Sequence, residues 1–185
     1  IQSVKNKETD IVVSAGNTGA LLVISKLNLK MIENIDKPAL SALWPNKKGM
    51  SVVLDLGANI ECSSKNLLDF SIMGAALYNS LYPGKKPNVG LLNIGSEELK
   101  GNETIKETYQ TLNEKKSENY NFSGYIEGNH LMDGDVNVIV SDGFTGNVAL
   151  KTAEGTANFI TRELTKAMTV SIFGNISWLL SITYF

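Results

Sequence analysis

Cysteine and histidine are nearly absent from this sequence: Cys62 and His130 are the only residues of their types. One cysteine cannot form an internal disulfide, and one Cys with one His does not make a zinc site. An excess of charge of either sign is also lacking, since 17 basic and 19 acidic side chains give a formal net charge of -2. Without a basic field, nucleic acid is not an expected partner.

Several catalytic signatures are missing as well. The sequence contains no Gly-x-x-x-x-Gly-Lys-Ser/Thr loop, no Gly-x-Gly-x-x-Gly fingerprint and no Gly-x-Ser-x-Gly elbow, which argues against Walker-type NTPases, standard dinucleotide enzymes and α/β-hydrolases. His130 lacks a partner pattern for a catalytic triad, so we interpret it as a loop or surface residue. Cys62 has no base near it in sequence, and we expect a half-buried, inert thiol.

Both ends of the sequence look cut. The first ten residues, IQSVKNKETD, hold neither Met nor an apolar signal segment, and the last eight, WLLSITYF, end without a polar tail. We therefore expect no secretion signal in this stretch and interpret the chain as an internal fragment of a longer protein.

Short apolar runs alternate with longer helical patterns along the chain. The pattern predicts strands at 10–14, 38–43, 50–57, 88–95, 121–128 and 135–142, and helices at 18–31, 65–82, 97–116 and from about 145 onward. Most of the runs are continuously apolar, which is typical of strands covered on both faces. Strand–helix–strand repetition predicts an α/β fold with a mostly parallel sheet.

Small, polar, glycine-containing segments follow four of the predicted strands, at 14–19, 54–59, 92–96 and 141–147. In an open parallel sheet the carboxyl ends of the strands form the ligand crevice. Glycine lets the backbone approach a ligand closely, and free N–H groups at helix N-termini attract anions. We expect the four loops to meet at one site suited to phosphate, although helix capping and tight turns would explain each loop taken singly.

Six segments carry a resemblance to one protein family. They are SAGNTGAL (14–21), KPAL (37–40), LDLGAN (54–59), MGAALY (73–78), VGLLNIGSEELKGNE (89–103) and DGFTGNVALKTAEG (142–155). In this order and spacing the sequence resembles the PlsX family, the bacterial phosphate:acyl-ACP acyltransferases of phospholipid synthesis. The resemblance extends over nearly the whole chain up to about Met168.

The sequence departs from the family pattern in three places. The family's opening Asp-Ala-Met-Gly-Gly-Asp segment and its C-terminal glycine-rich part are missing, and Lys37 stands where the family usually has arginine before Pro-Ala. We therefore expect this chain by itself to lack part of the active site and to be inactive.

The resemblance implies a three-layer α/β/α fold, like that of the phosphotransacetylases and the isocitrate/isopropylmalate dehydrogenases, and usually a homodimer. It implies transfer of a long acyl chain from acyl carrier protein to inorganic phosphate, without a cofactor or a metal. The acyl phosphate would pass to a membrane glycerol-3-phosphate acyltransferase. The implied location is the cytoplasm, with peripheral attachment to the inner face of the cell membrane.

The chemistry needs a positioned phosphate and donors aimed at the thioester oxyanion. We predict catalytic roles for Lys100, placed early in the helix predicted at 97–116, and for Asn147. Asp55 and Asp142 could orient Lys100 or an asparagine amide, and helix capping or turn formation is the alternative role for these two aspartates. The predicted substrate- and phosphate-binding residues are Ser14, Gly16, Asn17, Thr18, Gly19, Asp55, Asn59, Ser96, Asp142 and Thr145.

Two other functions stay open. The chain could belong to a phosphotransacetylase-type enzyme that uses acyl-CoA, or to a non-catalytic module that binds phosphate or a nucleotide. Acyl carrier protein is acidic, so the first function needs a basic patch near the crevice. Lys151, Arg162 and Lys166 are candidates for it, although a solvated helix face explains them as well.

We divide the chain into a core at 1–168 and the start of an apolar element at 169–185. The helical pattern places Phe159, Ile160 and Leu164 on one face, and the segment 169–185 carries no charge. This segment is short for a spanning helix and is interrupted by Gly174. We expect it to dip reversibly into the membrane interface through 173–180, with dimer packing as the alternative.

Overall fold

A five-stranded sheet organises the chain in the computed structural model, which describes residues 1–169. The chain divides into two compact units, Ile1–Asn147 and Val148–Phe185, which are described separately. The helices and strands, in chain order, are α1 (Gln2–Lys5), α2 (Thr18–Leu29), β1 (Ser41–Asn46), β2 (Gly49–Leu54), α3 (Ser64–Leu81), β3 (Asn88–Asn93), α4 (Glu103–Glu114), β4 (Asn121–Glu127), β5 (Val138–Val140) and α5 (Gly143–Thr169).

The strands lie in the order β1-β2-β5-β3-β4. β2, β5, β3 and β4 run parallel, and β1 pairs antiparallel with β2 at one edge. The predicted α/β fold with a mostly parallel sheet is thus confirmed. The antiparallel edge follows from the connection, since Lys47 and Lys48 alone join β1 to β2, and a two-residue link can join only antiparallel strands.

Helices α3 and α4 pack on one face of the sheet and bury most of the core. α3 begins with a capping box, in which the Ser63 side chain accepts from the Asn66 N–H and the Asn66 side chain accepts from the Ser63 N–H. Its inward residues Leu67 and Phe70 are fully buried. Gly74 lets the helix approach β5, because a Cβ there would collide with Val138. The helix predicted at 65–82 is confirmed.

Two element predictions are wrong. Residues 10–14 form no strand, and Ile11 and Val13 are 76% and 94% exposed. No strand of the described residues pairs with this run, so its β-forming composition has no ladder to join. The helix predicted at 97–116 begins only at Glu103, because Gly101 has φ 95 and Asn102 caps the first turn.

The second unit consists, within the described residues, of the later part of α5. Phe159, Ile160 and Leu164 are exposed there. No helix among residues 1–169 is long and apolar enough to cross a membrane. The predicted membrane-interface segment at 173–180 lies outside the described residues, and the domain boundary at residue 168 stays a prediction.

Candidate functional site

A buried carboxylate organises the loop that follows β2. Asp55 is 0% exposed, and its two carboxylate oxygens accept hydrogen bonds from four backbone N–H groups and one side-chain amide. The donors are the N–H groups of Leu40, Gly57, Ala58 and Asn59, at 2.8 to 3.1 Å, and Asn59 Nδ2, at 2.7 Å. The carboxylate therefore lies inside the turn and stabilises it, because the backbone N–H groups of the turn donate to it.

The loop after β5 is joined directly to the loop after β2. The Ser141 N–H donates to the Leu54 carbonyl at 2.7 Å, the Asp55 N–H donates to the Ser141 carbonyl at 3.0 Å, and Ser141 Oγ donates to the Asp55 carbonyl at 3.2 Å. Further along, the Gly143 N–H donates to the Asn59 carbonyl at 2.8 Å. The carboxyl ends of β2 and β5 thus form one hydrogen-bonded unit.

Two glycines at the start of α5 make this approach possible. A Cβ on Gly143 would lie 2.6 Å from the Asn59 carbonyl oxygen, and one on Gly146 would collide with the Asp55 carbonyl oxygen. Neither glycine has a positive φ. Glycine is required here for close packing of backbone on backbone and not for a left-handed conformation.

The loop after β3 supplies the third side of the site. Asn93 Nδ2 donates to the carbonyls of Gly95 and Lys100, both at 3.1 Å, which closes the loop back onto the strand end. Asn102 then caps α4, its side-chain oxygen accepting from the Ile105 N–H at 2.9 Å. Lys100 therefore lies in this loop before the helix, and its predicted place early in a helix is wrong.

These three loops and two helix starts enclose a cleft of about 450 Å³. Phe144 and Ile60 present exposed apolar side chains to it, 63% and 72% accessible, while Leu67 belongs to the core. The residues that line the cleft are Ile60, Glu61, Cys62, Leu67, Asn102, Thr104, Ile105, Asp142, Phe144 and Thr145.

The two helix N-termini at the cleft differ in their electrostatics. At α5, Asp142 accepts from the Thr145 N–H and the Thr145 hydroxyl, both at 2.8 Å, so a carboxylate already occupies that N-terminus. At α4 the cap is a neutral amide, Asn102, and the N–H groups of Glu103 and Thr104 lie in the first turn, where helix geometry provides no acceptor. The Glu103 carboxylate also belongs to this turn, and it pairs with Lys106 at 3.2 Å. Because its cap is neutral and its acidic side chain is paired with a cation, the α4 end is the better of the two for an anion.

One lysine side chain, Lys37, lies next to the cleft and comes from the segment before β1 and not from one of the three loops. Half-buried Lys37 donates from Nζ to the carbonyl of Glu61, a lining residue, at 2.8 Å. Among residues 1–169, no group of three or more His, Cys, Asp or Glu side chains is placed to hold a metal ion.

Cys62 lines the cleft as a free, partly buried thiol. Burial raises the pKa of this thiol, and the hydrogen bond from the Gly143 backbone only partly opposes that effect. A thiol held protonated is a poor nucleophile. The predicted half-buried, inert thiol agrees with this environment, although the sequence did not indicate that it would lie in the cleft.

Of the predicted site residues, Asp142 and Thr145 line the cleft. Asp55 and Asn59 do not line it, but they hydrogen bond to each other in the loop that continues into the lining residues Ile60, Glu61 and Cys62. Asn147 lies beside Gly57, whose added Cβ would be 3.5 Å from Asn147 Cγ. Ser96 and Lys100 are exposed in the loop that leads into Asn102. Their roles toward a substrate stay predictions.

The first predicted loop is not brought to the cleft. Ser14, Gly16, Asn17, Thr18 and Gly19 are all exposed, and none of them lines the cleft. The Gly16 N–H donates to Ser14 Oγ at 3.2 Å, and Asn17 Oδ1 accepts from the Ala20 N–H at 3.0 Å. Within residues 1–169 these are local turn and capping contacts, and the expected meeting of this loop with the others is wrong.

Eight of the residues that line the cleft were not among the predicted site residues: Ile60, Glu61, Cys62, Leu67, Asn102, Thr104, Ile105 and Phe144. Lys37, which contacts Glu61, was not among them either. Asn102 carried a readable signal, because Asn before an acidic residue is typical of a helix N-cap. Phe144 and Thr104 carried none, since positions flanking a loop have no periodic pattern. Lys37 reaches the cleft from the segment before β1, a contact that only the tertiary fold creates.

Comparisons with known proteins agree with this architecture. The family described as fatty acid synthesis protein matches residues 1–183. The chain is 78% identical over 183 residues, 99% of its length, to a protein named phosphate acyltransferase from Pelagibacter ubique (strain HTCC1062), of which it covers 55%. It is 48% identical over 177 residues, 96% of its length, to a protein of the same name from Maricaulis maris (strain MCS10), of which it covers 50%.

The chain thus spans about half the length of the curated relatives it matches. Among solved structures, it resembles the EutD phosphotransacetylase from Staphylococcus aureus with a TM-score of 0.59 and 17% identity, covering 84% of this chain and 54% of that one. At such low identity this likeness concerns the fold alone, and it agrees with the phosphotransacetylase-like architecture expected from the sequence.

Proposed function

Because the chain belongs to the fatty acid synthesis protein family, we propose that it forms part of a phosphate acyltransferase. The reaction moves a long-chain acyl group from acyl carrier protein to inorganic phosphate and yields acyl phosphate for phosphatidic acid synthesis. The observation that carries this proposal is the 78% identity to a phosphate acyltransferase over 99% of the chain. The cleft supports it, since it offers an anion position beside exposed apolar side chains.

Phosphate is proposed to sit at the N-terminus of α4, where the Glu103 and Thr104 N–H groups lie in the first turn. A phosphate oxygen attacks the thioester carbonyl carbon, the new C–O bond forms, and the C–S bond breaks. The phosphopantetheine sulfur leaves as thiolate and is protonated by solvent. No acyl-cysteine is needed, which suits a Cys62 thiol whose pKa burial raises.

Two side chains are proposed to stabilise charge during this step. The Asn147 amide donates to the carbonyl oxygen as it becomes an oxyanion. Lys100 neutralises phosphate or the leaving thiolate from the loop that precedes α4. Asp55 is proposed to act indirectly, by positioning other residues. Its carboxylate accepts from the Asn59 N–H, and the Asn59 carbonyl accepts from the Gly143 N–H at the start of α5.

The partners are also proposed. Acyl carrier protein is the proposed acyl donor, with a second copy of the chain and the inner membrane surface as further partners. The basic residues predicted to contact the carrier protein are paired on their own helix: Lys151 with Glu154 at 2.8 Å, and Arg162 and Lys166 with Glu163 at 3.3 and 2.9 Å. Pairing lowers the net charge of that face, so the carrier protein must compete with these exposed ion pairs.

The test uses a protein of the relatives' full length that contains this chain. Acyl-ACP is supplied with and without phosphate, and acyl phosphate is trapped with hydroxylamine as the hydroxamate. We expect phosphate-dependent product and a strong loss of turnover in both Lys100→Ala and Asn147→Ala, since losing one oxyanion donor costs roughly a hundred- to a thousand-fold in rate. Lys26→Ala, an exposed lysine of α2, is the control for Lys100→Ala.

The same assay separates the alternatives. Equal turnover with acyl-CoA would indicate a phosphotransacetylase-type enzyme, and absence of product with either thioester would contradict the proposal and favour a binding module. Near-normal turnover in both Lys100→Ala and Asn147→Ala would leave the activity standing and remove these two residues from the site.

A further inference from the structure

A second cleft lies between α3 and α4, toward the amino ends of the parallel strands. It has a volume of about 450 Å³ and is formed by the later turns of both helices and the segment that leads into β4. The candidate active site lies at the carboxyl ends of the strands, and Leu67 and Ile105, the core residues of that site, do not line this second cleft.

The lining of the second cleft changes from apolar to polar along α3. Leu68, Ile72 and Ala76 follow one another on one stripe of the helix, and Asn79 continues it in the last turn. Leu112 of α4 adds a fourth apolar side chain. Ile72 is 53% exposed, so the apolar part of the cleft is open to solvent in the described chain.

The polar end of the cleft holds an amide without a partner. Asn79 Oδ1 is buried and accepts no hydrogen bond from any residue in the part of the chain that the structure describes. A buried amide oxygen in this state is costly unless water or a ligand donor reaches it. An amide can also present its N–H₂ group to a ligand oxygen, so Asn79 is suited to a polar head group.

Positive charge collects at the same end. Lys115 and Lys116 line the cleft, and Lys116 also lines an adjoining cleft of about 330 Å³ together with Lys86. All three lysines are exposed, and none takes part in an ion pair within residues 1–169. Glu114 and Glu118, the nearest acidic residues in sequence, line neither cleft.

We propose that this cleft binds a single-chain amphiphile with an anionic head group. The alkyl chain lies along Leu68, Ile72 and Ala76, and the head group meets Asn79 and Lys116. The apolar stripe with a cationic end matches the two ends of such a molecule, and the volume falls in the range of small-molecule sites. A folded protein partner would require a flat surface of larger area, and a bilayer surface would not enter a cleft between two helices.

Dodecyl phosphate is the probe, kept below its critical micelle concentration; it is titrated into the 185-residue chain, and calorimetry follows the binding. Lys116→Glu is the test variant, because Lys116 is exposed and, unlike the C-cap Lys115, does not end the helix. We expect Lys116→Glu to weaken binding by about tenfold or more, since it reverses a charge beside the head group. Lys26→Glu, an exposed lysine outside both clefts, should bind like the unchanged chain.

Ala76→Phe provides a second variant that fills the apolar stripe from an exposed position and should abolish binding. The proposal is overturned if dodecyl phosphate does not bind, or if Lys116→Glu and Ala76→Phe both bind it unchanged. It is equally overturned if inorganic phosphate competes fully with the probe. A separate co-sedimentation with vesicles of anionic phospholipid overturns it as well, if the unchanged chain sediments with the vesicles and Lys116→Glu does not. A change of oligomeric state in Ala76→Phe, seen by size-exclusion chromatography, would assign the cleft to a protein interface and not to an amphiphile.

Discussion

The loop after β2 and the loop before α2 are both short, polar and built from asparagine and glycine, but they differ in what lies beneath them. Under the first lies Asp55, wholly buried, with five hydrogen-bond donors directed at it. Under the second lies a run whose Val13 is 94% exposed, leading into a helix with no buried residue. The difference indicates that a glycine–asparagine loop contributes to a ligand cleft when the segment before it is a strand paired within a sheet, as β2 is.

The largest contrast should come from one alanine placed in each region. Gly146→Ala puts a methyl group onto the Asp55 carbonyl, and we expect it to lower the free energy of unfolding by about 3 kcal/mol, the upper range for overpacking. In Gly16→Ala the new Cβ would contact only Ser14 Oγ, at 3.4 Å, so we expect the free energy of unfolding to change by less than about 0.5 kcal/mol. Urea denaturation measures both, and equal effects would erase the contrast.

Removing the buried charge should come next in size. Asp55→Asn puts an N–H₂ group among donors, so we expect a loss of about 2–3 kcal/mol, as for hydrogen bonds to charged groups. Asp10→Asn, an exposed carboxylate just ahead of the other loop, is the matched control and should lie within about 0.5 kcal/mol of the unchanged chain. An Asp55→Asn chain as stable as that control would show that the carboxylate does not organise the loop.

The two asparagine caps allow a smaller comparison. Asn102→Ala frees the Ile105 N–H in a helix packed on the sheet and should cost about 1 kcal/mol of global stability. Asn17→Ala frees the Ala20 N–H in a helix without buried residues. Fraying there should leave the denaturation midpoint unchanged and appear only as faster amide exchange in α2. A shift of the midpoint by Asn17→Ala would mean that α2 is part of the cooperative unit.

The smallest expected effect concerns pH at Cys62. Burial raises the thiol pKa, so the folded chain holds this proton to higher pH than the unfolded chain does. The stabilising contribution is complete below the unfolded pKa of about 8.5 and is lost as pH rises through the folded pKa. Cys62→Ala should remove this alkaline decline, and iodoacetamide should react more slowly with the folded chain than with the urea-unfolded chain at pH 8.5. A fast-reacting folded thiol would contradict the buried environment.

Much of the fold could be predicted from the sequence. The helix at Ser64–Leu81 and the strands ending at Leu54 and Asn93 were readable, because each combines a long periodic or continuous apolar pattern with a clear polar end. The run at 10–14 carried the same signal and forms no strand, because β-propensity reports fit to a pleated surface and not the presence of a neighbouring strand.

The site was predictable only in part. The loops after β2 and β5 were correctly expected to meet, since the carboxyl ends of parallel strands share one edge. The loop after β3 reaches the cleft only at Asn102, beyond the predicted segment 92–96. The inward direction of the Asp55 carboxylate could not be read, because a strand-ending aspartate faces either solvent or its own turn. The contact of Lys37 with Glu61 joins residues 24 apart and exists only once the loops are folded.

The position of β5 has a consequence for how this chain is made. Val138 pairs with Val52 on one side and with Val89 on the other, so the central strand of the five in residues 1–169 is also the last of these five to leave the ribosome. Until then the nascent chain holds two separate pieces, the β1–β2 hairpin and the β3–α4–β4 unit, each with an unpaired edge. Unpaired edges are where growing chains associate wrongly. The two pieces can therefore join into one sheet only after residues 138–140 have been translated. A chain that stalls shortly before residue 138 should be the most accessible to chaperones and proteases.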